Sequence, residues 1–309
     1  MSWDSWANQI VQGVLLGGYY ALLASGLSLM FGVMRIINLA HGDLAVLGAF
    51  FVYVLASDGG MSPWLALVIV LPSMAFGGWL LQRTMLDRSL RSGVLVPLLT
   101  TFGLGIVIQN LLFEQFGANG SSLAGSIGTL SYDSWRITSQ IFVPKLGALI
   151  LGVAVLLLAG LQVFLTRTAL GRSLRATAED PDTAQLVGIN SRRVYALAAA
   201  IAVAVAALAG VFLSMRSQVA PYDGPGQLIF AFEAVVIGGL GSLWGTLVGG
   251  IVLGVAQNLG QQIGQQYFDT SEWFLVSGHV VFLAVLAGRL ILGELAARGG
   301  VRAVVAQWA

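Results

Sequence analysis

The chain has 309 residues, of which 57% are hydrophobic and 9% are charged, and its net charge is +1. Soluble domains carry about 25% charged residues, so this composition, with a mean hydropathy of +0.86, predicts an integral membrane protein and offers no basis for binding nucleic acid. The absence of cysteine excludes disulfides, thiolate chemistry and cysteine-bound metals.

Apolar runs recur along the whole chain. The first ten residues hold no basic residue and no cleavage site, so we read them as the retained start of the first span, with Trp3 and Trp6 at the membrane interface. The sequence predicts an all-α fold of about eight transmembrane helices plus broken or re-entrant segments, in one transmembrane domain over residues 1–309. The predicted spans are residues 10–30, a run from Arg35 to 56, 64–81, 94–113, 146–165, 195–215, the interrupted stretch 228–260, and 273–292.

The first interrupted stretch carries Asn38, His41 and Asp43 between apolar runs. The order of residues favours a break at Gly42, with Asp43 capping a new helix from Leu44. His41 is either hydrogen-bonded between helices or in contact with a gate or a solute. The second histidine, His279, is far away in sequence, and no spacing typical of a metal site occurs.

A long connection, residues 117–144, is rich in glycine and serine and alternates polar with apolar residues, which predicts a small hairpin. The longest mainly polar stretch that favours a helix follows the next span, inside an arginine-flanked loop over residues 167–193. Asp180 is placed to cap this helix, Pro181 suits its first turn and Gly188 its end. Ala184, Val187 and Gly188 predict a small exposed face. This helix is either an ordinary solvated loop helix or a docking element.

The second interrupted stretch places Glu233 in apolar sequence, where a carboxylate is either functional or an acceptor for freed backbone donors. Gly238, Gly239 and Gly241 follow, but they do not fit a nucleotide-binding loop, because Trp244 stands where the third glycine belongs. The length of residues 228–260 suits a half-helix and one full span. One interrupted stretch in each half is the pattern expected of an inverted-topology repeat.

Orientation follows from the basic residues. The loops after the first, third and fifth spans and the C-terminal tail (Arg298, Arg302) are basic, whereas the alternate loops hold Asp58, Asp223, Asp269 and Glu272; the connection with Arg136 and Lys145 is the exception. The positive-inside rule then predicts an outer N-terminus and a cytoplasmic C-terminus, with the 180–189 helix in the cytoplasm.

The sequence contains no motif for hydrolysing a nucleotide. Its single lysine, Lys145, lies in the outer connection, so no phosphate-binding loop of the G-x-x-x-x-G-K-[ST] type is present. No catalytic grouping is evident, which predicts a non-enzyme that depends on ion coupling or on a separate subunit.

Three segments carry a resemblance to a known family: residues 26–43, with Asn38-Leu-Ala-His-Gly-Asp43, residues 171–190, and residues 233–245, with Glu233-Ala-Val-Val-Ile-Gly-Gly-Leu-Gly241. In this order and over nearly the whole chain they resemble the permease subunits of branched-chain amino acid ABC importers, most closely those of the LivH type. Relatives in that family also handle amides, urea and aromatic acids.

The resemblance implies a permease of the bacterial inner membrane that binds no cofactor itself, with ATP and magnesium on partner subunits. The implied partners are a second homologous permease (or a second copy), two cytoplasmic ATPases, a periplasmic binding protein and membrane lipid. The family's ATPase-coupling segment corresponds to Asp180, Pro181, Asp182, Thr183, Ala184, Gln185, Leu186, Val187, Gly188 and Ile189. Asp182-Thr-Ala184 stands where the general ABC pattern begins Glu-Ala-Ala.

Two other functions compete with this interpretation. A secondary transporter would use Glu233, His41 or Asp43 for proton coupling, and a passive channel would need no energy source. In the favoured interpretation, Asn38, His41, Asp43, Glu233, Gly238, Gly239 and Gly241 belong to a translocation path or gate. The identity of the solute and the choice between permease homodimer and heterodimer are not encoded in any motif of the chain.

Overall fold

The computed structural model describes residues 3–93 and 95–298. Arg302, one of the two arginines used to orient the C-terminal tail, lies outside the described residues. The described chain is almost entirely helical, as predicted. Its helices are α1 (Trp3–Met34), α2 (His41–Ser57), α3 (Pro63–Leu81), α4 (Asp87–Ser89), α5 (Leu95–Phe116), α6 (Lys145–Arg167), α7 (Ala169–Glu179), α8 (Pro181–Leu186), α9 (Ser191–Arg216), α10 (Gly224–Gly238), α11 (Leu243–Tyr267) and α12 (Trp273–Arg298). A π-helical turn, Gln82–Leu86, joins α3 to α4.

Within the described residues, seven helices are long and apolar enough to cross a membrane, and α2 and α10 are shorter apolar helices. This agrees with the predicted all-α membrane fold. The interrupted stretch divides as expected into a half-helix of 15 residues, α10, and a full span of 25 residues, α11. The predicted hairpin is also confirmed, because β1 (Ser134–Arg136) pairs antiparallel with β2 (Phe142–Pro144).

Helix α1 is the centre of the fold. In its most apolar window 89% of the residues are buried, against 6% in α12. Glycines make this packing close: a Cβ added at Gly13 or Gly17 would lie 2.5 or 2.4 Å from the backbone of α11, and Gly250 and Gly254 face back toward α1. Small residues four apart on both helices let the backbones touch, which is how membrane helices gain van der Waals contact. Helices α1 and α11 therefore pack backbone against backbone.

The ends of the helices define two opposite faces. The hairpin lies at the start of α1, where the amide of Phe142 donates to Asn8 Oδ1 at 3.1 Å. The same side receives the end of α9, because the Leu123 amide donates to the Ser214 carbonyl at 2.8 Å. We call this side the hairpin face. The opposite side carries α7 and α8 and the end of α1, and we call it the arm face.

The chain contains two units of inverted direction. Helix α1 runs toward the arm face and continues through residues 35–40 into the half-helix α2, whose Phe50 meets Phe116 at the hairpin-side end of α5 with ring centroids 4.6 Å apart. Helix α9 runs toward the hairpin face and continues through residues 217–223 into the half-helix α10, which ends where Gly241 lies beside Gly32. This arrangement agrees with an inverted-topology repeat, but the non-helical link of the second unit is residues 217–223 rather than the glycine cluster after Glu233.

Candidate functional site

Helix α8 is the best-defined local element of the arm face. Asp180 Oδ1 accepts from the amides of Asp182 and Thr183, both at 3.0 Å, and Pro181 occupies the first turn, as the sequence predicts. At the other end Gly188 has φ +86°, its amide bonds to the Gln185 carbonyl, and the Ile189 amide bonds to the Ala184 carbonyl. This pair of bonds is a Schellman cap, which requires a left-handed residue that glycine supplies without strain.

The carboxylate of Asp180 is held by several donors at once. Hydrogen bonds from the Thr183 hydroxyl, the Thr183 amide and the Asp182 amide lower the pKa of Asp180 below its usual value. A lowered folded-state pKa means that the cap contributes stability above the ordinary aspartate pKa and loses it as the pH falls through the lowered value. At neutral pH the cap is therefore fully formed.

The exposed face of α8 differs from the prediction. Ala184 is buried, with 3% of its surface exposed, whereas Leu186 and Val187 are 87% and 74% exposed. The prediction of a small exposed face was wrong, because the short helix turns its alanine toward its own chain. Beside it lies a groove of about 750 Å³ lined by Asp87, Gln185, Gly188, Arg192, Tyr195 and their neighbours. Two large apolar side chains next to a groove form a surface suited to another protein.

The first interrupted stretch is a non-helical link between α1 and α2. The chain breaks at residues 35–40, and α2 begins at His41, so the predicted break at Gly42 with Asp43 as the cap of a helix from Leu44 was wrong. Asn38 makes the turn instead: its Oδ1 accepts from the Ala40 amide at 3.0 Å, and its carbonyl accepts from the His41 amide at 3.1 Å. An asparagine side chain that bonds the backbone two residues on favours such a turn.

His41 is fully buried, and its Nε2 donates to the Leu23 carbonyl of α1 at 2.9 Å, whereas its Nδ1 has no partner. Of the two interpretations of His41, the hydrogen bond between helices is the one that the structure contains. The imidazole ties the start of α2 to the middle of α1. This hydrogen bond therefore holds the two helices of the first unit together.

Asp43 lies where the two half-helices begin. Its Oδ1 accepts from Gln109 Nε2 at 2.9 Å, and it sits in the first turn of α2. Gly224, the first residue of α10, packs so closely on it that an added Cβ would lie 1.9 Å from that same oxygen. A carboxylate between two helix N-termini is favoured by both helix dipoles. The structure thus gives Asp43 a structural position between α2 and α10.

Glu233 lies further along α10 and has a partner that the sequence did not identify. Its Oε1 pairs with Nδ1 of His279 on α12, while its Oε2 is buried and has no hydrogen-bond partner among residues 3–93 and 95–298. The Glu233 side chain is 3% exposed and the His279 side chain 45% exposed. Ionisable groups inside membrane spans are costly and mark solute or ion paths. The only sequence signal for His279 was a lone histidine in an apolar span.

Tyrosine side chains of α1 form hydrogen bonds with glutamines of α10 and α11. The Tyr19 hydroxyl donates to Gln227 Oε1 and the Tyr20 hydroxyl to Gln257 Oε1, each at 2.6 Å, and Gln257 Nε2 has no partner. The Tyr20 ring also packs on Phe230, with centroids 5.3 Å apart. None of these residues was predicted, because a tyrosine or glutamine in an apolar run carries no sign of its partner.

The predicted path residues do not form one cluster. Asn38, His41 and Asp43 lie near the start of α10, and Gly238, Gly239 and Gly241 lie at its other end, about 20 Å away at 1.5 Å per residue. Gly239 and Gly241 have φ of +102° and +85° and form the turn between α10 and α11. Gly238 packs on α11, where an added Cβ would lie 2.0 Å from the Gly245 carbonyl oxygen. These glycines shape a turn at the arm face.

Comparison with known proteins completes the description of the site. The family described as branched-chain amino acid transport system / permease component matches residues 9–286. The high-affinity branched-chain amino acid transport system permease protein BraD of Pseudomonas aeruginosa is 34% identical over 252 residues, covering 78% of this chain and 81% of BraD. The corresponding LivH protein of Salmonella typhimurium is 32% identical over 254 residues, with 78% and 81% covered. The permease protein LivM of Escherichia coli is 29% identical over 248 residues, 72% of this chain and 57% of LivM.

Proposed function

This chain belongs to the permease component family of branched-chain amino acid transport systems, and from that premise we propose that it translocates branched-chain amino acids or related small amphiphilic solutes across the bacterial inner membrane. It is a multi-pass permease subunit of an ABC importer and works within a transporter complex. We propose that the energy comes from ATP hydrolysed, with magnesium, on two separate ATPase subunits. A periplasmic binding protein would deliver the solute.

The exposed face of α8 is the observation that supports this mechanism best. Leu186 and Val187 project from a rigidly capped helix, beside a groove that is open to a second protein. Burying one such side chain is worth about 1.5–3 kcal/mol, so the pair would contribute about 3–6 kcal/mol to the docking of an ATPase. Because both ends of α8 are fixed by hydrogen bonds, a movement of the ATPase would be passed to α7 and α9 as a rigid displacement and would alternate the access of the path.

Charge supports the proposed orientation. Arginines are concentrated at the arm face. Arg35 follows α1, and Arg83 and Arg88 follow α3. Five more lie before, within or after α7 and α8: Arg167, Arg172, Arg175, Arg192 and Arg193. The hairpin face holds Arg136, Lys145 and Arg216 together with Asp58, Asp133, Asp223, Asp269 and Glu272. The positive-inside rule favours a cytoplasmic arm face, an outer start of α1 and a cytoplasmic end of α12.

We place the solute path at the Glu233–His279 pair. A histidine side chain that is 45% exposed would face lipid if the chain stood alone, and lipid is a poor environment for it. We therefore propose that a second permease, homologous or identical, covers the α10–α12 face. The relation to LivM supports a homologous partner. The Phe232 and Phe282 rings, 6.2 Å apart, would offer an apolar wall to an aliphatic solute, and Glu233 would attract its ammonium group.

The Glu233–His279 pair also favours a second candidate, a proton-coupled transporter. In the sequence, Glu233, His41 and Asp43 are its candidate groups, but Asp43 and His41 lie near the start of α10, nine residues before Glu233 in the helix. A collapse of uptake by an uncoupler in vesicles that lack the ATPases would support this alternative. Uptake that needs ATP and survives the uncoupler would support the importer.

The exposed face of α8 with Leu186 and Val187, which we call the docking face, provides the decisive experiment. We expect Leu186→Ser with Val187→Ser to lower both the recovery of ATPase with the purified permease and ATP-driven uptake by about tenfold or more, because two buried apolar contacts are lost. Ile137→Ser is the matched control, since Ile137 is 66% exposed on the hairpin face. Full ATPase recovery with the double variant would contradict the docking role. Replacing Gly188 with a bulky residue should also abolish uptake while the chain still inserts in the membrane.

A further inference from the structure

A cavity at the arm face belongs to neither the docking face nor the Glu233–His279 pair. It has a volume of about 320 Å³ and lies between α1, α6, α7 and the start of α11. Its wall is mostly apolar, with Leu29, Val33 and Leu174 among the lining residues, but Ser28, Gln162 and Arg175 also line it. An apolar slot with a few polar groups at one end is the shape that an amphiphile fits.

The polar end of the cavity is suited to an anion. Helix α11 begins here, and Ser242 satisfies the amide of Gly245 with its side chain and the amide of Thr246 with its carbonyl. The amides of Leu243 and Trp244 have no partner among the described residues. Free amides at the start of a 25-residue helix, together with its dipole, attract negative charge. The Arg175 guanidinium adds a full positive charge with bidentate geometry for phosphate.

A second observation comes from the opposite wall. Ser28 is fully buried in α1 and lines the cavity, and its Oγ has no hydrogen-bond partner within the described part of the chain. Serines in helices usually donate to a carbonyl of the preceding turn, and a buried hydroxyl without a partner costs free energy. Gly32, one turn later on the same face, lies beside Gly241. Ser28 therefore faces the turn from which α11 starts, and a bound anion would supply the missing acceptor.

Outside the cavity an apolar track leads along α11. Trp244, Val248 and Val252 follow one another at single-turn spacing and are 44%, 59% and 37% exposed. On the neighbouring α6, Val163 is 58% and Leu156 74% exposed. Tryptophan is enriched at the level of lipid headgroups. The surface thus changes from a polar end with a positive charge to an apolar stripe in the direction of the membrane interior.

We propose that this cavity binds the phosphate headgroup of an anionic phospholipid, with its acyl chains along α6 and α11. Basic pockets between membrane helices on the cytoplasmic side bind anionic headgroups in this way. Because Leu174, Arg175 and Ala178 of α7 line the cavity, the lipid contacts the arm that carries α8. Its placement in the inner leaflet rests on the proposed orientation, but the binding itself does not depend on transport.

Binding of phosphatidylglycerol to the purified chain in detergent tests the proposal. Arg175→Gln should weaken binding about fivefold, the usual effect of one basic residue on an anionic lipid. Arg172→Gln is the matched control: it makes the same charge change on the same helix, but Arg172 does not line the cavity and its Nη1 contacts the Arg167 carbonyl. Equal weakening by both variants would overturn the site, since it would indicate general surface attraction.

Two further arms fix the source of the anion and the role of the serine. Inorganic phosphate at millimolar concentration should not displace the lipid; if it does, the cavity is a free-phosphate site and the lipid proposal fails. Ser28→Ala keeps the fold, because it only removes an unpartnered hydroxyl. The melting temperature of the wild type should be higher in nanodiscs of equal parts phosphatidylglycerol and phosphatidylethanolamine than in nanodiscs of phosphatidylcholine. Ser28→Ala should reduce this rise. An unchanged rise would overturn the site, because Ser28 would then have no bound anion as its acceptor.

Discussion

The two units of the inverted repeat share their geometry but differ in their chemistry. In both, a long helix is followed by a non-helical link and a half-helix, and the two half-helices start against each other at Gly42 and Gly224. In the α1–α2 unit, the side-chain oxygens of Asn38 and Asp43 accept hydrogen bonds that stabilise the link and the start of α2. In the α9–α10 unit, Glu233 keeps one oxygen without a partner and meets a half-exposed histidine.

This difference separates structure from transport. Two carboxylates occur in two half-helices within similar apolar sequence, yet Asp43 is placed to neutralise two helix N-termini, and Glu233 lies beside a helix whose outer surface is uncovered. In our proposal the symmetric parts hold the fold, and the asymmetric pair serves the solute. The following predictions test this division from the largest expected effect to the smallest.

The contact between the half-helices should tolerate no added atom. In Gly42→Ala the new Cβ would lie 1.9 Å from the Gly224 carbonyl oxygen, and the backbone must shift, which we expect to cost about 3 kcal/mol or more. Thermal unfolding of the detergent-solubilised chain measures this loss. Gly103→Ala in α5 is the control, because nothing lies within 4 Å of its Cβ. If Gly42→Ala melts like Gly103→Ala, the half-helices do not meet as described.

Glu233→Gln should reduce uptake by about tenfold or more, equivalent to about 1.4 kcal/mol in an equilibrium or barrier, because the neutral amide no longer attracts an ammonium group. The similar shape of glutamine should leave the melting temperature close to that of the wild type. Uptake of labelled solute in proteoliposomes, normalised to the amount of folded protein, is the measurement. Wild-type uptake by this variant would move the solute path away from α10.

Asp43→Asn should show the opposite pattern. It removes a charge-assisted bond from Gln109 and the favourable interaction with two helix N-termini, which we expect to lower the free energy of unfolding by about 1–2 kcal/mol. Uptake per folded molecule should stay within about twofold of the wild type, a difference under 0.5 kcal/mol. A stable Asp43→Asn protein that has lost uptake would show that the first unit also carries the path.

The turn between α10 and α11 should respond least. Gly239 has φ +102°, but the only atom within 4 Å of an added Cβ is Arg289 Nη2 at 3.8 Å. Gly239→Ala should therefore cost about 1–2 kcal/mol of backbone strain at most, without steric overlap. Gly152→Ala, in open space within helix α6, separates strain from the general effect of adding a methyl group. A loss as large as that of Gly42→Ala would indicate that the turn is packed against a partner.

The sequence alone determined most features that depend on near neighbours. Hydropathy located the spans, and Asp180, Pro181 and Gly188 predicted both ends of α8, because caps and left-handed residues act within one turn. The alternation of residues 117–144 predicted the hairpin. Three ordered segments identified the family.

Only the tertiary structure decided which distant residues meet. Helices that are apolar on all sides carry no periodicity that marks an inner face, so the pairing of Glu233 with His279 had no signal in the sequence. The six residues of α8 are too few to show which face packs on the rest of the chain, so the burial of Ala184 was not predictable either. The break before His41 was misplaced because Asn38 and Gly42 both favour an interruption locally. The close contact of Gly42 with Gly224 shows that Gly42 allows two half-helices far apart in the chain to pack together.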